Sequence, residues 1–268
     1  MNGAIFKETI RQTWLQAMIW GVGFGLLGVM TLAVLPDAEG LNAMADLIEQ
    51  LPSFMVTLIG AGNDLVFMTT PEGYITAGFY GRALLLLAIF PVLLGLRVTS
   101  NEENSGVMDT LLSLPVSRPH LMIEKILAYL LMLVLMLVIF NLCMVVGNNA
   151  LNTAIDSIQL MVVGMALFPS VAFIFAITVF LSAVIRQRRT AIIWVVVVIL
   201  GGFIIDLVTG IVSSTFLENA KIFSIHYYYN SARIFQQGVV WNHVIVMMIG
   251  LVGALVGGVW MFNRRDLA

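Results

Sequence analysis

The chain has 268 residues, 60% of them hydrophobic and 10% charged. Its mean hydropathy of +1.00 is a composition that ordinary soluble domains do not show. That makes the chain an integral membrane protein with a formal net charge of -2, and its single cysteine, Cys143, set inside an apolar run, excludes a disulfide framework and a cysteine metal cluster.

In chain order, Lys7 and Arg11 precede an apolar run from about Ala17 to Leu35. That run is longer than the roughly 7–15-residue core of a cleaved signal peptide, so it reads as the first membrane anchor. Ile5, Phe6, Ile10 and Trp14 share a face opposite Lys7, Glu8 and Arg11, which predicts an amphipathic interfacial helix lying along the inner leaflet before turning into the first span. A bilayer core takes about 20 consecutive apolar residues in a helix. Six segments meet that length: Trp14–Leu35, Ala77–Leu96, Leu121–Val146, Ile158–Ile185, Ala191–Val212 and Trp241–Phe262. The expected fold is therefore all-α, a single transmembrane domain over residues 1–268.

Between the first two spans, Leu41, Met44, Leu47, Ile48 and Leu51 form an apolar stripe ended by Pro52. Such a helix lies on the outer membrane surface, packs on a partner subunit, or covers its own bundle. Between the second and third spans comes a polar island, Glu102 to Lys125. Ser100 and Glu103 have capping-box spacing, and Val107, Met108, Leu111 and Leu112 form a stripe opposite Asp109 and Ser113. Pro115 stops that helix, and Ser117 with Pro119 restarts another as N-cap and first-turn proline. The island is either a docking element at the membrane surface or a solvated hairpin.

Further along, Asp206 is the clearest acid within a span, and Arg82 lies near the outer end of the second. A structural ion pair or interfacial placement outweighs proton coupling for these two residues. Gly201–Gly202 and Gly253–Gly257 are expected to let helices approach closely. The run IHYYYN (Ile225–Asn230) marks the headgroup level or an aromatic ligand site. The chain closes with Asn263, Arg264, Arg265 and Asp266, and no further domain is expected beyond the sixth span.

Charge decides orientation. Lys7, Arg11, Arg97, Arg118, Lys125, Arg186, Arg188, Arg189, Arg264 and Arg265 border one side, against Arg82, Lys221 and Arg233 on the other. Asp37, Glu39, Asp46, Glu49, Asp64 and Glu72 gather in the first external segment. The positive-inside rule then makes both termini and the polar island cytoplasmic.

The chemistry that is missing narrows function. None of the three lysines follows a glycine, so a phosphate-binding P-loop is lacking. His120, His226 and His243 are far apart and lack the H-E-x-x-H spacing of a membrane metalloprotease. No G-x-S-x-G elbow is present. No catalytic, cofactor or metal site is read, and an enzyme is disfavoured.

With the island placed, the sequence resembles a permease subunit of the second class of ATP-binding cassette transporters, the ABC type-2 exporter family. The matching pattern is Glu102 or Glu103, Gly106, Leu111–Leu112, Pro115, Arg118 and Lys125. Phe6, Lys7 and Trp14 in the first helix, six spans, Gln236–Gly238 and the ending Phe262–Asp266 are similar as well. The resemblance implies a coupling helix between spans two and three that docks on a separate ATPase, through Glu102, Glu103, Gly106, Val107, Met108, Asp109, Leu111, Leu112, Pro115, Arg118 and Lys125. It also implies a second permease subunit, ATP and Mg held by two copies of the ATPase and not by this chain, no nucleic acid, and a bacterial or archaeal cell membrane. The implied function is export of an amphiphilic or hydrophobic substrate: a drug, lipid or peptide. Ser224–Ile225–His226 departs from the family, where many relatives have a proline before the aromatics. The alternative is an ATP-independent six-span carrier or channel using Asp206, with Arg82 in the same polar site.

Overall fold

A computed structural model of the protein describes residues 3–52, 55–56, 65–99, 118–185, 187–211 and 219–264. Among them there is no strand. Six helices are long and apolar enough to cross a membrane: Ala4–Ala33, Pro71–Val98, Pro119–Ala150, Ser157–Val184, Arg188–Ile211 and Trp241–Asn263. They are the six expected spans, most of them lengthened by polar or capping turns in which the backbone hydrogen bonding continues.

The first span shows why. Ala4–Ala33 is one helix of 30 residues with no turn inside it. At 1.5 Å per residue it is about 45 Å long, against a hydrocarbon core of about 30 Å. The amphipathic N-terminal segment is continuous with the first span. Lys7, Glu8 and Arg11 are exposed there, while Thr9 and Thr13 are buried and return their hydroxyl protons to the carbonyls of Ile5 and Thr9, at 2.8 and 2.6 Å.

The buried face of this helix runs Thr9, Thr13, Ala17, Gly21, Gly25 and Gly28, small residues one turn apart. They meet the third span. A Cβ on Gly21 would stand 2.7 Å from the Met136 carbonyl, one on Gly25 would collide with Cys143, and one on Gly28 with the Met144 sulfur. Close backbone approach through small residues is the usual means of helix association in lipid, where the hydrophobic effect supplies no drive between helices. The expected positions behave differently: Gly201 and Gly253 face open space, Gly202 meets Ser224, and Gly257 meets the Phe180 ring. The close small-residue pairing is therefore Gly21–Gly25–Gly28 on the third span, while of Gly253 and Gly257 only Gly257 meets a neighbouring helix, where a Cβ would stand 3.2 Å from the Phe180 ring.

The second span is interrupted by a π-helical segment, Thr76–Tyr80, between Pro71–Ile75 and Gly81–Leu87. Thr70 caps its start by accepting the Gly73 N–H at 3.1 Å, and the Tyr74 hydroxyl donates to the Val34 carbonyl at 3.2 Å, tying it to the end of the first span. The fourth span also breaks, between Ser157–Met165 and Phe168–Val184. Pro169 sits in the first turn of the second piece; with no N–H it cannot carry the ladder across the break. This second piece is the centre of the bundle. The second span lies along it through Gly95 on Thr178, and the sixth through Gly250 on Phe173 and Gly258 on the Phe180 backbone.

The helix Ala38–Glu49 is capped by Asp37, whose carboxylate accepts the Gly40 N–H at 2.9 Å. Of its apolar stripe Leu41 and Ile48 are buried, and Met44 and Leu47 face outward. Wide apolar faces of the fifth and sixth spans are likewise exposed, including Ile193, Val197, Leu200 and Ile204, and Ile245, Ile249, Val252 and Val256. In a membrane those faces meet lipid or another subunit.

Candidate functional site

The described bundle has a basic end, with Lys7, Arg11, Arg97, Arg188, Arg189 and Arg264, and a far end with Asp37, Glu39, Asp46 and Glu49. The proposed coupling residues Glu102, Glu103, Gly106, Val107, Met108, Asp109, Leu111, Leu112 and Pro115 lie outside the described residues, as does the Arg118 side chain. Both attachments of the island to the bundle are described, and both are at the basic end.

On the incoming side, Arg97 donates from Nη1 to Gln16 Oε1 on the first span at 2.6 Å. Thr99 follows, fully buried, with its hydroxyl 2.7 Å from that of Ser182 on the fourth span. Ser182 in turn donates to the Val179 carbonyl at 3.0 Å. On the outgoing side the helix Arg118–Ala150 begins with Pro119 in its first turn. His120 Nε2 and Glu124 Oε1 are 2.9 Å apart, and Glu124 Oε2 accepts the backbone N–H of Phe6 at 3.0 Å.

The last contact has a local cause. The first helix starts after Gly3, which adopts φ 65 and offers no side-chain cap, and its first turn holds no acid. Its leading N–H groups lack intrahelical acceptors and carry partial positive charge. Glu124 supplies from the third span the acceptor and the negative charge that the first helix lacks. Next to it, Lys125 is only 4% exposed, so its side chain belongs to the interior of the basic end. Glu124 was not singled out from sequence. Two signals pointed to it: one turn of spacing from His120, and the missing cap ahead of Ala4.

Of the two readings for Asp206 and Arg82, a structural ion pair or interfacial placement, the first does not link them to each other: no salt bridge joins the two residues. Arg82 donates from Nη1 to the Ala77 carbonyl at 2.8 Å, reaching back along its own helix to a carbonyl of the π segment. The cation acting on Asp206 is Lys221, from the short turn Lys221–Phe223.

Above them, the aromatic run packs down onto the bundle. The Ser224 hydroxyl donates to the Gly202 carbonyl at 2.8 Å and accepts the His226 N–H at 3.2 Å, capping the short helix Ile225–Tyr228. His226 is buried against Phe203, edge to face at 5.4 Å. Neither ring nitrogen has a hydrogen-bond partner among the described residues, and burial pushes the imidazole down to about 4. Tyr227 and Tyr228 gather around His243, and the Tyr229 hydroxyl meets the Val163 carbonyl at 3.4 Å. Asn230 then caps Ser231–Gln237, whose Phe235 covers the buried Tyr80 ring. These aromatics seal the far end of the bundle.

Among the described residues no group of His, Cys, Asp and Glu is placed to hold a metal. Residues 4–267 match the family model described as ABC-2 family transporter protein. No curated protein matches the chain at a significant level. A six-span helical bundle and a family match over nearly its whole length make this chain a member of the ABC-2 transporter family, a multi-pass membrane permease whose membership implies an ABC ATPase as its partner.

Proposed function

We propose that this chain is one of two permease subunits of an ATP-driven exporter, that its basic end faces the cytoplasm, and that the segment Glu102–Lys125 receives the stroke of a separate ATPase. The observation that supports this reading is the bracketing of that segment. Thr99, just before it, bonds Ser182 of the fourth span, and Glu124, at its end, bonds Phe6 of the first helix. A push on a segment held at both ends is passed into four spans instead of being lost in bending. The Gly21–Gly25–Gly28 contact then carries it along the paired first and third spans.

In that reading closure of the ATPase dimer biases the bundle between access states. ATP and Mg stay on the ATPase. The apolar stripe Val107, Met108, Leu111 and Leu112 gives the docking fit, Glu102, Glu103 and Asp109 meet basic groups, and Pro115 sets the angle into the third span. The cargo class is an amphiphilic or hydrophobic molecule crossing at the subunit interface, consistent with spans that carry few charges.

The test is reconstitution with the ATPase that co-purifies from the membrane. Gly106→Trp and Leu112→Asp are expected to leave insertion intact and to separate ATP hydrolysis from transport. Wild-type transport by both variants would sink the docking assignment. Transport by the purified chain alone under a proton gradient would establish the carrier reading instead.

A further inference from the structure

At the basic end, a groove of about 430 Å³ opens on the outside of the bundle between the third and sixth spans. Its walls are Pro119, Ile123 and Leu127 on one side and Val256, Val259 and Trp260 on the other. Deeper in, Leu130 and Leu255 close the two spans against Ala172 and Ala176 of the fourth. From there toward the basic end the spans part, because Gly257 and Gly258 pack on Phe180 of the fourth span instead of on the third. The volume lies within the range of about 300–1,000 Å³ that small-molecule sites occupy.

The mouth of the groove is charged. The Arg264 guanidinium sits 4.1 Å above the Trp260 ring, held there by cation–π attraction. The neighbouring acid, Glu124, is engaged with His120 and the Phe6 N–H. Lys125 is turned into the bundle. A positive charge thus stands at the opening of an apolar slot, beside a tryptophan of the kind that marks the headgroup level.

We propose that this groove is a binding site for one anionic phospholipid, with an acyl chain between the third and sixth spans and the phosphate against Arg264. The walls select this occupant. Among the described lining residues the polar side-chain groups are Asn263 and the Trp260 indole N–H, and the backbone of both helices is hydrogen-bonded internally. A peptide would therefore leave its amides unpaired in hydrocarbon, whereas an acyl chain has none to satisfy. The site does not depend on the direction of transport or on the coupling role of the island.

The experiment uses the full chain, purified from membranes and exchanged into vesicles or detergent with equal phosphatidylglycerol and phosphatidylcholine, with retained lipid read by native mass spectrometry. The wild type is expected to retain phosphatidylglycerol over phosphatidylcholine by about fivefold, the effect of one arginine at an anionic surface. Arg264→Gln should abolish that preference while a lipid of either kind is still retained. Val256→Trp should lower retention of both, since it fills the slot; Val256 is 64% exposed, so the bundle behind it is not disturbed, and an unchanged melting temperature verifies this. Equal retention of the two lipids by the wild type, or an unchanged lipid load in Val256→Trp, overturns the proposal. Loss of a permease dimer in Val256→Trp with no change in lipid load also overturns it, and makes the groove a subunit contact.

Discussion

The carboxylate of Glu124 accepts the backbone N–H of Phe6 at 3.0 Å, joining positions 118 residues apart. A helix whose own sequence offers no cap is completed by a side chain of another span, so the start of the first span and the start of the third are one structural unit. Replacing Glu124 by alanine is expected to cost about 1–3 kcal/mol, the range for removing the charged partner of a part-buried hydrogen bond. It should lower the apparent melting temperature in detergent by several degrees. Glu124→Gln keeps the acceptor and should lose less. His120→Ala should lose less than about 1 kcal/mol, because that ring is half exposed. Equal melting of the wild type and Glu124→Ala would show that the bond carries no weight.

The hydroxyl pair Thr99–Ser182 should behave as a unit. Both side chains are fully buried, so removing one leaves the other without a bond it made, at a cost of about 1–3 kcal/mol. Thr99→Val and Ser182→Ala together are expected to cost less than the sum of the two. A melting-temperature cycle over the four proteins checks this, and strict additivity would contradict it.

Gly25→Leu is expected to separate the first and third spans, since any Cβ there meets Cys143. Overpacking of this kind costs about 1–3 kcal/mol or more. Gly253→Leu, at a position that meets nothing within 4 Å, should be tolerated. Expression and melting of the two variants side by side give the comparison.

His226 makes the far end sensitive to acid. Its folded value of about 4 lies below the ordinary 6.5, so between those values the unfolded chain binds the proton that the folded one refuses. Stability is then full above about pH 6.5 and falls as the pH drops toward 4, by on the order of 3 kcal/mol in all. His226→Phe should flatten that part of the melting profile. An identical acid slope in both proteins would exclude His226 as its source.

Asp206 separates the exporter from its rival. In the ATP-driven reading Asp206→Asn leaves transport with the ATPase largely intact, because no step of that reading uses its carboxylate. In a proton-coupled carrier the same change abolishes uphill transport. Vesicle uptake with ATP and with an imposed pH gradient distinguishes the two.

The spans were legible because about 20 apolar residues in a row admit essentially one reading in a membrane protein. Their exact lengths were less so: Ala4–Ala33 extends ten residues before Trp14 through turns whose polarity looks like an end. The glycines show the limit of pattern. Gly21, Gly25 and Gly28 are buried and Gly253 is open, yet both stretches are glycine-punctuated apolar helices, and only the packing of a partner tells them apart. Arg82 and Asp206 were noticed for their charge, but the Ala77 carbonyl that Arg82 reaches was set by the π segment of its own helix. The coupling segment was the clearest motif in the sequence, and most of it lies outside the described residues; its two attachments, Thr99 and Glu124, carry no motif.

The π segment Thr76–Tyr80 has a geometric consequence. A π turn amounts to one residue too many in an α-helix, so everything before it is rotated by about 100° relative to an unbroken helix. Ile75 and Leu84 can therefore both be buried, although they are not on one face by ordinary helical counting. Deleting a single residue there would leave a smooth helix of nearly the same length and composition. It would also swing Pro71–Ile75 a quarter turn, carrying Tyr74 away from Val34 and unfastening the far ends of the first two spans.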